Sequence, residues 1–311
     1  MPEPALVTVT RNGLAESTHR VHVAVTRADG TLVAGCGDVD RPTTMRSCAK
    51  PHQVEPLVAS GGFDALGLDD RVLAVTCASH MGQDIHVEAV ERGLRACGLT
   101  AEALDNCIGT PEEKLRHNCS GNHLGFLALS VHSGWDTVGY RHPGHPSQDA
   151  ALAEVAARTG RAPTSIPTCT DGCGVVAFEL PLSTIATMYA RLPEELPRQF
   201  AAMRAHPELV RGDGDLDTEL MRALPGVVAK GGAEALAAVG VAGERLGVAV
   251  RVEDGGYRAI DPVLIETLRQ VLGWHSPPEA LAAFAEPVIP NFVGDRVVRL
   301  TARVELSTRL G

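Results

Sequence analysis

The chain has 311 residues, of which 44% are hydrophobic, 21% charged and 4% aromatic, and its formal charge is -10. A chain of this length buries roughly three quarters of the surface it would expose unfolded, so it needs no disulfide staples. Its 28 Lys and Arg residues form no basic run and no aromatic-laced basic stripe, which argues against nucleic acid as a partner.

No apolar run approaches the ~20 residues that cross a bilayer, so no membrane partner is expected. The start, MPEPALVTVTRNG, lacks a basic segment followed by an apolar core. A cytoplasmic protein is therefore expected, with its eight cysteines as reduced thiols.

In chain order, residues 19–37 place an alternating run on each side of Asp29-Gly30, the pattern of a β-hairpin. A Pro/Thr turn at 42–47 leads into a helical segment, 48–62. Lys50 precedes Pro51, and proline suits a first helical turn, so the helix is expected to start near Ser47. Ser47 and Lys50 then share one side of a turn. Residues 71–79, RVLAVTCAS, are apolar and β-branched, which predicts a buried strand. That strand would run through 80–86 into a helix carrying Val87, Val90, Leu94 and Cys97 and stopped by Gly98.

Residues 99–225 read as mainly helical with irregular Gly/Pro connections. Residues 246–260 read as two strands around an Asp-Gly-Gly turn, followed by a helix at 261–273 and a strand at 295–306. The expected architecture is an α/β sandwich in a single domain over 1–311. Residues 1–98 and 227–311 would form the sandwich, and 99–226 a mainly helical portion.

Several groups could carry chemistry. Ser47 and Lys50 have the S-x-x-K spacing of a hydroxyl activated by an amine, which needs the amine's proton affinity lowered. Cys48 between them is expected to pack. Ser79 follows the apolar run and precedes His80, Gly82 and His86; it is either a second active hydroxyl or a helix N-cap. Cys119, Cys169 and Cys173 raise the question of zinc, which thiolates and imidazoles bind. The absence of C-x-x-C spacing rules out a finger or ribbon and leaves buried free thiols as the alternative. His142, His145 and Gln148 lie on a Pro-punctuated polar loop suited to a substrate or an interface.

Eight segments are matched in order: RSCAKPHQ (46–53), CASHMGQDIH (77–86), HNCSGNHLG (117–125), YRHPGHPSQ (140–148), CTDGCGV (169–175), AHPELVRGDGDLDTELM (205–221), VAKGGAE (228–234) and GVAVRVEDG (247–255). Spanning about two thirds of the chain, they closely resemble the L-asparaginase II family of the rhizobial, thermolabile type. The resemblance implies a fold like that of serine β-lactamases and penicillin-binding proteins, with a helical subdomain and usually a homodimer. It also implies a small-molecule amide substrate, L-asparagine, hydrolysed through two Ser-Lys pairs.

Carried over by motif, the first pair is Ser47 with Lys50. The second joins Ser79 to the lysine of G-x-A-x-K-x-E-D-G, a position held here by Arg251. The family's zinc ligands fall on Cys119, Asn122 and Cys173. Arg46, His80, Gln83, His86, Asp171 and Gly172 fall where substrate would bind.

Three positions depart from the family pattern. Arg251 cannot give up its proton, Asn122 replaces a lysine ligand with a weaker amide, and Gln83 replaces a glutamate. The leading expectation is hydrolysis of a carboxamide with Ser47 as nucleophile, Lys50 as base and Ser79 as proton relay. The alternatives are an amidase or acyl transferase with another amide substrate, and a silent relative that binds a small ligand or zinc.

Overall fold

Alternation at the start of the chain becomes a sheet. In the computed structural model, which describes residues 3–308, the strand Ala5–Arg11 buries Ala5, Val7 and Val9 at every second position. Asn12 and Gly13, both at positive φ, form the two-residue turn into the long strand Leu14–Arg27. The expected hairpin around Asp29-Gly30 follows, with Leu32–Cys36 as its second arm.

The sheet runs in the order Val288–Pro290, Arg296–Arg303, Ala5–Arg11, Leu14–Arg27, Leu246–Val252, Leu236–Val241, Val227–Gly232. Its neighbours pair antiparallel. These strands belong to one of two compact units, made of residues up to 43, 181–191 and from 219 onward. The helix Ile260–Val271 packs its Val263, Leu264 and Leu268 on this sheet. On the strand Leu246–Val252, a Cβ at Gly247 would stand 1.8 Å from the Ala186 carbonyl oxygen. Only glycine admits the helix backbone that close.

One expected strand is absent. Residues 253–260 do not return along Leu246–Val252; they bend into a 3₁₀ turn, Tyr257–Ala259, and then the helix Ile260–Val271. Asp254 explains the bend. Its carboxylate accepts the Gly256 N–H at 2.9 Å and holds His19 Nδ1 at 2.8 Å, closing a local turn. The hairpin partner of Leu246–Val252 lies upstream, at Leu236–Val241.

The second unit comprises residues 44–180 and 192–218 and is mainly helical. Residues 44–98, expected with the sheet, fold into this unit, whereas 219–226 fold with the sheet. The apolar run near 75 is not a strand but the helix Asp70–Thr76, N-capped by Asp69, whose side chain accepts the Val72 N–H. Val72 to Thr76 are all buried, because the helices Asp84–Ala96, Ser120–Ser133 and Pro197–Ala205 pack around the segment. A short helix surrounded on all sides shows no polar face, so its sequence imitates a buried strand. A Cβ at Gly121 would lie 1.9 Å from the Val75 carbonyl oxygen, so Ser120–Ser133 rests directly on this central helix. A short antiparallel pair, Thr168–Thr170 with Val176–Pro181, completes the unit. Among the described residues no helix is long and apolar enough to cross a membrane.

Two buried histidines make this unit acid-sensitive. Neither ring nitrogen of His52 has a partner in the protein. Burial, reinforced by the charge of Arg158, pushes its pKa down to about 3. Burial likewise lowers His123 to about 3. Between the ordinary histidine range and pH 3, the unfolded chain binds a proton on each ring that the native protein refuses, so stability falls as pH falls through that window. We expect His52→Leu to raise stability by about 2 kcal/mol more at pH 5 than at pH 7. Urea unfolding of both proteins at the two pH values checks this; an equal acid response would refute it.

Candidate active site

The chain enters the site through Met45, whose N–H donates to the Phe178 carbonyl at 2.8 Å. The next residue, Arg46, is held at φ +46°, in the left-handed region. A side chain there costs of order 1–3 kcal/mol unless its surroundings fix it. Asp171 supplies the fixing contact: Arg46 Nε and Nη2 reach its two carboxylate oxygens at 2.7 and 3.3 Å. Both side chains are largely shielded from solvent, and such two-pronged pairs define orientation as well as charge. The 3₁₀ turn Arg46–Ala49 then passes into the helical turn Lys50–Gln53.

Lys50 is 2% exposed, and its ammonium uses its three donors on three acceptors. Nζ lies 2.6 Å from the Ala78 carbonyl oxygen, 3.0 Å from Ser79 Oγ and 3.3 Å from Cys119 Sγ. Ala78 and Ser79 leave the end of the central helix, where the Ser79 N–H is tied to the Val210 carbonyl and its own carbonyl receives Arg211. Cys119 is the N-cap of Ser120–Ser133, where the helix dipole favours negative charge. A hydrogen bond from the Cys173 thiol holds Cys119 well below the usual thiol range against the opposing effect of burial, and the Lys50 charge adds to this. Cys173 is pushed up by the same contact and by burial. Within the pair the proton is held more tightly by Cys173 than by Cys119, whose sulfur lies beside Lys50.

Arg46, Ser47, Lys50, Asn122, Asp171 and Cys173 line one cleft, with about 220 Å³ of empty space including the part open to solvent. Six residues singled out from the sequence thus meet in one place. Ser47 is partly exposed there, whereas Ser79 is 3% exposed. Exposed Gly172 sits in the turn beside Arg46.

Other expected ligand-binding residues are committed to the framework. His80 Nδ1 accepts the Gly82 N–H, and its Nε2 meets Ser120 Oγ at 2.8 Å. His86 Nδ1 accepts the Gln83 N–H, and its Nε2 meets the Glu208 carbonyl at 2.9 Å. The two rings stack at 4.7 Å. With all four ring nitrogens occupied, this pair braces the loop that carries Ser79, while Gln83 caps the helix Asp84–Ala96. The polar loop near 145 is also structural. His145 caps Pro146–Thr159, and Gln148 bonds the Val176 N–H and the Tyr140 carbonyl. Arg251 lies in the sheet unit, in register with His22 and Leu236.

The donor set does not match a zinc centre, which takes four N, S or O ligands, or three and a water. Cys119 and Cys173 are hydrogen-bonded to each other, Cys119 also meets Lys50, and Asn122 offers only a neutral amide oxygen. Among the described residues no three His, Cys, Asp or Glu side chains converge to hold a metal.

Sequence reasoning passed over Lys230, which is 0% exposed on the edge strand Val227–Gly232 of the sheet unit. A signal was present: of the 28 basic residues only Lys50, Lys114 and Lys230 are lysines, and two of those three are buried. It also passed over Gln53, whose amide orders the wall of the cleft.

The profile of the L-asparaginase II family matches residues 7–302. No curated protein gives a significant match. Among solved structures, the chain is similar to a β-lactamase from Mycobacterium bovis at 14% identity and a TM-score of 0.39, covering 81% of this chain and 94% of that one. That likeness is too loose to carry an argument, and the mixed α/β fold stands on its own antiparallel sheet and helices. With nearly the whole sequence inside the family profile, the chain belongs to the L-asparaginase II family.

Proposed function

We propose that the protein hydrolyses a side-chain carboxamide, L-asparagine or a close analogue, through an acyl-enzyme formed on Ser47. Family membership supplies the reaction class, an L-asparaginase-type amidohydrolase acting on amide C–N bonds. The observation that carries the assignment of roles is the position of Lys50. Its Nζ is 3.0 Å from Ser79 Oγ, and it lines the same cleft as the accessible Ser47.

A serine hydroxyl attacks a carbonyl only when a base takes its proton. Lys50 is that base, and it acts as the neutral amine. Of the three acceptors around Nζ, the Cys119 sulfur at 3.3 Å is the one basic enough to take the proton that must leave it first. Ser47 Oγ attacks the carbonyl carbon, its proton passes to Lys50, and Ser79 hands a proton to the departing nitrogen. Ammonia leaves, water hydrolyses the Ser47 ester by the reverse proton route, and aspartate or its analogue is released. Buried Ser79 suits a relay, and partly exposed Ser47 suits attack. Arg46, held by Asp171, fixes the backbone from which Ser47 projects.

Ser47→Ala is expected to abolish the covalent adduct seen by mass spectrometry with an acylating probe. Ser79→Ala should still acylate, about 10²–10⁴-fold more slowly. Labelling of Ser79 in the Ser47→Ala protein would reverse the assignment. Lys50→Arg keeps a cation but cannot release its proton, so turnover should collapse while the circular dichroism spectrum is retained; an active Lys50→Arg enzyme would rule out the base. Asp171→Ala should lower both the melting temperature and kcat, because it leaves Arg46 without its carboxylate at a cost of about 1–3 kcal/mol. Unchanged values would show that the ion pair does not position Ser47. Ammonia release from L-asparagine, measured beside a panel of other primary amides, identifies the substrate.

A further inference from the structure

Asn122 is 2% exposed and lines the cleft with Ser47. Its amide orientation is fixed by a chain of bonds with one polarity. The Val176 carbonyl can only accept, so it takes the Gln53 NH2 at 3.3 Å. Gln53 Oε1 therefore faces Asn122 and receives its NH2 at 3.2 Å. Asn122 Oδ1 is left as a buried acceptor with no hydrogen-bond partner in the protein. A buried acceptor of this kind costs stability unless a donor meets it. Around it, Lys50 and Arg46 are cations already bonded to acceptors of their own.

We propose that Asn122 Oδ1 accepts a hydrogen bond from the NH2 of the substrate's carboxamide, making Asn122 the residue that selects an amide over an ester of the same acid. Gln53 acts through it, as a positioning residue. The inference rests on the hydrolase reading above and assigns to that site the donor it recognises. A site built to receive an N–H rejects an analogue that lacks one, because the acceptor is then buried unpaired.

The test compares L-asparagine with the β-methyl ester of L-aspartate, in the presence of EDTA so that no metal on Cys119 and Cys173 contributes. For wild type, kcat/KM should favour the amide relative to the two compounds' intrinsic reactivity. In Asn122→Leu, kcat/KM for the amide should fall about 10- to 100-fold, while that for the ester stays, so the ratio collapses. If Asn122→Leu does not fold, Gln53→Met serves: without the Gln53 oxygen to hold it, the Asn122 amide can turn an N–H to the cleft, and the ratio falls in the same direction. A ratio unchanged in the folded variant overturns the role of Asn122 and leaves the hydrolase intact. If wild type cleaves neither compound, the hydrolase reading fails. Calorimetric binding of the same two compounds then decides the inference: an amide preference lost in the variant supports it, and equal binding of both compounds to wild type overturns it.

Discussion

The buried ammonium of Lys50 is the constraint on which the rest of the site depends. An unpaired charge at 2% exposure would be untenable, and the protein meets it from three directions. The end of the central helix gives the Ala78 carbonyl, the following loop gives Ser79, and the start of Ser120–Ser133 gives Cys119. These contacts draw separate helices around one atom. They also place a sulfur and a hydroxyl directly beside the amine.

Most of the surrounding polar residues keep that arrangement rigid. The stacked pair His80 and His86 braces the Ser79 loop, and Arg46 with Asp171 holds a left-handed turn just before Ser47. The amide chain from Val176 through Gln53 to Asn122 orders one wall. These side chains spend their polar groups on one another and on the backbone. A site of this kind limits its choice of substrate through the donors and acceptors it leaves unmatched.

The chain's use of basic residues follows the same logic. Arginine, which stays charged, supplies nearly all the cations of the surface ion pairs, among them Arg92 with Asp69, Arg116 with Glu112 and Arg198 with Asp64. Lysine is confined to three positions and is buried at Lys50 and Lys230. At position 251, where the family pattern has lysine, an arginine stands in the sheet unit.

By itself the sequence determined the hairpin around Asp29-Gly30, the late helix and strand, and the order of the segments that converge on the cleft. These are local properties: alternation, turn residues and the S-x-x-K spacing act within a few positions. The sequence misjudged Asp70–Thr76 because burial on every side erases helical periodicity, although Asp69 signalled the cap. It misjudged residues 253–260 because Asp254 turns the chain by a contact with distant His19. Only the tertiary structure could decide that Lys50 bonds to Ser79, 29 residues away, that His80 and His86 are braces, and that the Asn122 oxygen is buried without a partner. Those outcomes depend on which partners close packing brings to each polar atom, and no spacing along the chain encodes that.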